Sequence, residues 1–147
     1  MLGVKALSEL SSAEFRRRAF ELSPEIARRC RFILEENDRV VALAEALPAG
    51  DHGRIARLSA DSFAGAMTLY EIGTPAMEAM MQGMLAAPGV IGARQAGAGF
   101  GGCMVAFVDA ARVEAFGKAV RESYSAATGK EADVYAVAAG PGAGLLK

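Results

Sequence analysis

The chain has 147 residues, enough to build a core of its own, and 52% hydrophobic with 22% charged residues excludes a disordered polymer. A formal net charge of −1 gives no electrostatic basis for binding nucleic acid or an anionic membrane. Two cysteines, Cys30 and Cys103, are too few for a disulfide framework and fit a reducing cytoplasm; no apolar run has the length of a signal sequence or a membrane span.

Ser11 or Ser12 gives the first helix start. Glu14 stands at the capping-box spacing from Ser11, which predicts a short helix through Glu14 to Phe20. Ser23-Pro24-Glu25 is a stronger start: a capping hydroxyl, a proline at the first helical position and an acid in the first turn. Ile26, Cys30, Ile33, Val40 or Val41, Ala44 and Leu47 then recur at steps of three and four until Pro48-Ala49-Gly50 ends the helix. Asn37 falls on that stripe and reads as a buried amide satisfied by backbone, with a ligand contact as the sharper alternative. The arginines at 16–18 and at 28, 29 and 31 read as solvated helix faces.

Asp51 is the next cap, opening a helix through Ile55 and Leu58 toward Met67. His52, the one histidine, lies in its first turn with no nucleophile or carboxylate constellation around it, so it reads as exposed and not catalytic. Thr74-Pro75 repeats the cap-then-proline signal. The helix it opens carries Met77, Met80, Met81, Met84 and Leu85, which read as core filling or, more sharply, as a contact face for a missing partner. Pro88-Gly89 stops it.

The next stretch organises the chain: Gly92-Ala93-Arg94-Gln95-Ala96-Gly97-Ala98-Gly99-Phe100-Gly101-Gly102-Cys103. Between positions 97 and 102 only Phe100 has a side chain larger than a methyl, so positive φ and close approach of another group to the backbone are both permitted. Consecutive amides in such a loop can form an anion-binding concavity. Val90-Ile91 before it and Met104-Val105-Ala106-Phe107-Val108 after it predict strand, glycine loop, strand. The glycine spacing is not that of a dinucleotide fingerprint, and the helix that would hold a pyrophosphate does not follow. Beyond it, Asp109 caps a predicted helix with Val113, Phe116, Val120, Tyr124 and Ala127 on one face, closed by Thr128-Gly129. Val134-Tyr135-Ala136-Val137 reads as a last strand before a Gly-Pro-Gly tail. Cys30 on its stripe and Cys103 at the head of a strand are both expected to be buried and reduced. Helices grouped apart from a small sheet predict an α+β fold over residues 1–147, with no internal repeat.

The glycine stretch resembles the third signature of the GHMP small-molecule kinases, in the galactokinase version Gly-Ala/Ser-Arg/Lys-Met-Thr-Gly-Ala-Gly-Phe-Gly-Gly-Cys. The likeness extends to Leu2-Gly3-Val4, to Arg28-Arg29-Cys30-Arg31-Phe32 through Glu36-Asn37-Asp38-Arg39-Val40, and to Leu69-Tyr70-Glu71-Ile72-Gly73-Thr74-Pro75, in the family's order. The resemblance implies a GHMP-kinase C-terminal domain, a ferredoxin-like layer of antiparallel strands backed by helices. It further implies transfer of the ATP γ-phosphoryl to the anomeric hydroxyl of galactose or a similar sugar, with Mg²⁺, chemistry that is mostly positioning and charge neutralisation.

The family's sugar signature, its nucleotide loop and its catalytic aspartate belong to the N-terminal half, and none of those motifs occurs here. The expectation is a C-terminal half alone, with no catalytic residue and no metal ligand of its own. It would offer Gly97, Ala98, Gly99, Phe100, Gly101 and Gly102 to the phosphates and bind no ATP or Mg²⁺ by itself. Its expected partner is the N-terminal half, or a second copy of itself. Several positions depart from the pattern: Phe32 and Phe63 replace histidines, Gln95 a methionine, Ala96 a hydroxyl residue and Gly73 a serine. Three functions fit: an enzyme's C-terminal part, inactive alone; a metabolite-binding module without catalysis; and a self-associating module.

Overall fold

The computed structural model describes residues 2–97 and 99–140. Five α-helices and two strands are described: α1 Ser12–Arg18, α2 Pro24–Ala46, α3 His52–Gly65, α4 Pro75–Ala86, β1 Val90–Gln95, β2 Met104–Val108 and α5 Val113–Thr128. The sequence readings of Ala98 and of the tail beyond Gly140 lie outside the described residues.

Local chemistry sets most of these ends. Ser11 accepts from the Glu14 amide while the Glu14 carboxylate takes the Ser11 amide at 2.9 Å, a complete capping box. Ser23, Asp51 and Thr74 each accept from the third amide of the helix they open, and Pro24 and Pro75 follow two of them. Asp109 departs from the reading by a few residues: it caps a single 3₁₀ turn, Ala110–Arg112, and α5 begins only at Val113. α3 runs on into one π-turn, Ala66–Tyr70, which ends at Glu71 in the left-handed region (φ 62°, ψ 41°).

The sheet is a two-stranded antiparallel hairpin, with Gln95 opposite Met104 at its loop end and a bulge between Val90 and Gly92 at the other. α3 packs along β1, with Gly92 set against Ser59 and Ala56. A Cβ there would meet Ser59 Oγ at 2.9 Å and Ala56 Cα at 3.2 Å, which explains the glycine. The largest buried cluster joins Met81, Met84 and Ala87 to Ala93 of β1 and to Phe116 and Val120 of α5. A second, around Leu2, Phe15 and Leu34, fixes α1 and the N-terminal segment to α2. A third, Phe32, Ala66 and Ile72, joins α2 to the π-turn.

The α+β expectation, helices over a small antiparallel sheet, is what the chain forms. Several finer expectations are overturned. Val134-Tyr135-Ala136-Val137 is not a strand: the sheet among the described residues pairs β1 with β2 alone, and Val134 packs on the main cluster while Tyr135 and Val137 are exposed. The apolar stripe read along α2 is not one buried face. That helix is gripped from two sides, so Cys30 enters the second cluster and Ile33 the third, while Ile26, Val40, Val41 and Leu47 face water. Asn37 is exposed, not buried. Cys103 is exposed as well, because it leaves the loop before the strand begins, and Cys30 is half-buried; both are free thiols. Met77, Met81 and Met84 are buried and Met80 packs partly buried on the main cluster, so these methionines fill core, while Leu85 on the same helix is exposed.

Candidate functional site

The hairpin carries the glycine loop at its open end. Gln95 pairs with Met104 and the Ala96 amide donates to the Cys103 carbonyl at 2.9 Å, after which the two chains part. Gly97 (φ 82°) and Gly102 (φ 106°) both take backbone conformations that side chains disfavour, which is the conformational reason for glycine at those places. Gly97, Gly99, Phe100, Gly101 and Gly102, the described members of the predicted site, are all exposed at this tip. Phe100 has 72% of its surface in water. Among the described residues none of these five amides donates to a protein acceptor.

Beneath the loop lies a polar cluster that joins three elements. The Glu36 carboxylate of α2 accepts from Arg39 Nε, from Ser62 Oγ of α3 at 2.9 Å and from Arg94 Nη2 of β1 at 3.1 Å. Charge-assisted bonds of this kind are about twice as strong as neutral ones. Next along β1, Gln95 is 3% exposed, and its Nε2 donates to the Gly99 carbonyl at 2.7 Å. Ser59 Oγ, Arg39 Nη2, Arg94 Nε and Gln95 Oε1 are buried there without a partner. Of these, Arg94 and Gln95 border a pocket of about 250 Å³ whose apolar walls are Phe32, Phe63, Ala66 and Ile72 and whose polar lining they share with Glu36 and Ser62, with Gly97 also in the lining.

Three of the departures from the family pattern, Phe32, Phe63 and Gln95, therefore line one pocket under the loop. A fourth, Gly73, lies against the mobile end of the Met67 side chain, and nothing in the structure explains the glycine there. The fifth, Ala96, is exposed at the neck of the loop. Sequence reasoning brought out the loop but not the Glu36 cluster. The available signal was the Glu-Asn-x-Arg resemblance, which contained both Glu36 and Arg39. His52 is exposed at the start of α3, as read. Among the described residues no group of three or more His, Cys, Asp or Glu side chains is placed to hold a metal ion.

The chain is 35% identical to a galactokinase of Pasteurella multocida (strain Pm70) over 144 residues, covering 95% of this chain and 37% of that protein. The crystal structure of Lactococcus lactis galactokinase complexed with galactose superposes with a TM-score of 0.79 at 32% identity, covering 87% of this chain and 33% of that one. The chain thus spans about a third of the length of the relatives it matches. Residues 43–126, a stretch that holds Ser62, Arg94, Gln95 and the whole glycine loop, match the family described as GHMP kinases C terminal, and the chain belongs to that family.

Proposed function

We propose that the chain is the C-terminal part of a galactokinase-like enzyme, one that transfers the ATP γ-phosphoryl to the anomeric hydroxyl of galactose or a similar sugar. The observation that carries this is the exposed glycine loop on a polar base, in a chain 35% identical to a galactokinase over nearly its whole length. Loop amides with no acceptor among the described residues suit phosphate oxygens, whose charge they can share without a counter-charge of their own. On this reading residues 97–102, Ala98 included, lie near the phosphates.

On this reading the carboxylates that would hold Mg²⁺, and the groups that bind the sugar, belong to an N-terminal half, where the family carries its sugar signature, nucleotide loop and catalytic aspartate. That half is the proposed partner, and the chain alone is inactive. No described helix is long and apolar enough to cross a membrane, and the reading places the protein in the cytoplasm. Incubation with Mg-ATP and a panel including galactose, arabinose and N-acetylgalactosamine tests it: only background ADP release is expected from the chain alone, and sugar-dependent turnover once the N-terminal half of a related galactokinase is added. Turnover by the chain alone refutes inactivity; none in any combination refutes the kinase role.

A second reading, self-association as a non-catalytic or metabolite-binding module, is favoured by apolar side chains left in water, among them Phe20, Ile26, Val40 and Val41. Light scattering separates the two readings: a mass near 15.3 kDa at all concentrations excludes self-association.

A further inference from the structure

We propose that Gln95 is a positioning residue, a side-chain latch that fixes the shape of the glycine loop from beneath. The loop has little to hold it. A side chain's first carbon placed at Gly97, Gly101 or Gly102 would meet nothing within 4 Å, and the residues around the tip are exposed. Glycine carries the largest backbone entropy to be lost on ordering, so the loop's order has to be supplied from outside. Among the described residues, the bond from Gln95 Nε2 to the Gly99 carbonyl, at 2.7 Å, is the side-chain bond that reaches into the loop.

The residue type argues for the same role. Gln95 is 3% exposed, a burial normally given to apolar residues, and its Oε1 has no partner. The amide cannot be turned over to relieve this, because its oxygen would then face the Gly99 carbonyl oxygen. A methionine, the residue of the family pattern at this position, has similar length and no polar atom to strand. A half-satisfied amide in a core position fits where the satisfied half does something the methionine cannot. The latch also has an anchored base: the preceding residue, Arg94, is tied to Glu36 of α2 at 3.1 Å, and β1 stays paired with β2 as far as Gln95 itself. That the latched loop lies beside phosphates rests on the function proposed above; the latch itself does not.

The test is nitrogen-15 relaxation on the 147-residue chain, comparing the natural protein with Gln95→Met and Gln95→Glu. In the natural protein the amides of Gly99, Gly101 and Gly102 should have order parameters near those of a rigid backbone, about 0.85, and Gln95→Met should drop them below about 0.6. The amides of β1 and β2 should not change, and the thermal midpoint should hold or rise. A merely structural glutamine gives the reverse, a lower midpoint with loop order unchanged, and that result overturns the proposal. Gln95→Glu gives an independent reading, because only a protonated carboxyl can donate to Gly99. Loop order in that variant should be low at neutral pH and recover on acidification; order that ignores pH overturns the latch. With an N-terminal half added, Gln95→Met should raise KM for ATP several-fold. A loosened loop with no sugar-kinase turnover in any combination of halves supports the latch and refutes the kinase reading.

Discussion

Replacing Glu36 by glutamine tests whether the polar cluster under the loop is a structural keystone. The substitution keeps volume and shape and removes one charge. Glu36 accepts from Arg39, Ser62 and Arg94, and the Glu36, Arg39 and Arg94 side chains are 16%, 15% and 33% exposed. Removing one partner of a fully buried ion pair costs about 3–5 kcal/mol, whereas exposed pairs are worth about 0–1 kcal/mol. The intermediate exposure here, and the one carbonyl that glutamine keeps as an acceptor, place the loss at about 2 kcal/mol. For a chain of this length that lowers the thermal midpoint by roughly 8 °C, taking about 4 °C per kcal/mol.

Calorimetry or urea unfolding measures the single variant, and a double-mutant cycle with Arg94→Met isolates the pair. Arg94→Met should cost less in the Glu36→Gln background than in the natural one, with a coupling of at least about 1 kcal/mol. A surface comparison is built into the molecule: Arg28 and Arg29 meet Glu71 at 3.3 Å with side chains 41–47% exposed, and removing those contacts should cost no more than about 0.5 kcal/mol. A Glu36→Gln loss as small as that, or a coupling near zero, refutes the assignment of Glu36 as the tie between α2, α3 and β1.

Other expectations follow from single features. The Ser11 hydroxyl, and after it the Ser11 amide, holds the Glu14 carboxyl below its ordinary 4.5, so the α1 start is stabilised above that value and loses this contribution as pH falls through the lowered value; Ser11→Ala should return the Glu14 midpoint in an NMR titration toward 4.5. At position 71, where φ is 62°, glycine should be more stable than alanine by about 1 kcal/mol, the reverse of their order in a helix, and equal urea midpoints would contradict the left-handed assignment. Under native conditions a thiol reagent should label Cys103 in a fast phase and Cys30 slowly, with Cys103→Ser abolishing the fast phase.

What could be read in the sequence was whatever the chain encodes within four residues. Ser11 with Glu14, Ser23 with Pro24, Asp51 with the Arg54 amide and Thr74 with Pro75 are local devices, and each opens a helix where its residues stand. The glycine loop was legible for the same reason, since the strands that flank it pair across it. Periodicity failed on α2 because a helix held by α1 on one side and by α3 and the π-turn on another has two partial faces instead of one stripe. The strand read at residues 134–137 failed because a strand exists only by pairing, and the partner is not a local property.

The Glu36 cluster was hidden for the deeper reason that its contacts are long in sequence. Ser62 is 26 residues from Glu36 and Arg94 is 58 away, so no spacing rule announces them. Arg94 and Gln95 read in the sequence as part of the glycine stretch, yet they are the last two residues of β1. In the fold they do opposite work. Arg94 joins the strand end to α2, and Gln95 passes that fixity upward to Gly99. A loop of glycines has no side chains with which to hold its own shape, so what defines it must sit in the residue before it. The unpartnered oxygen of Gln95 and the unpartnered nitrogen of Arg94 are where this arrangement costs stability, at the strand end that carries the loop.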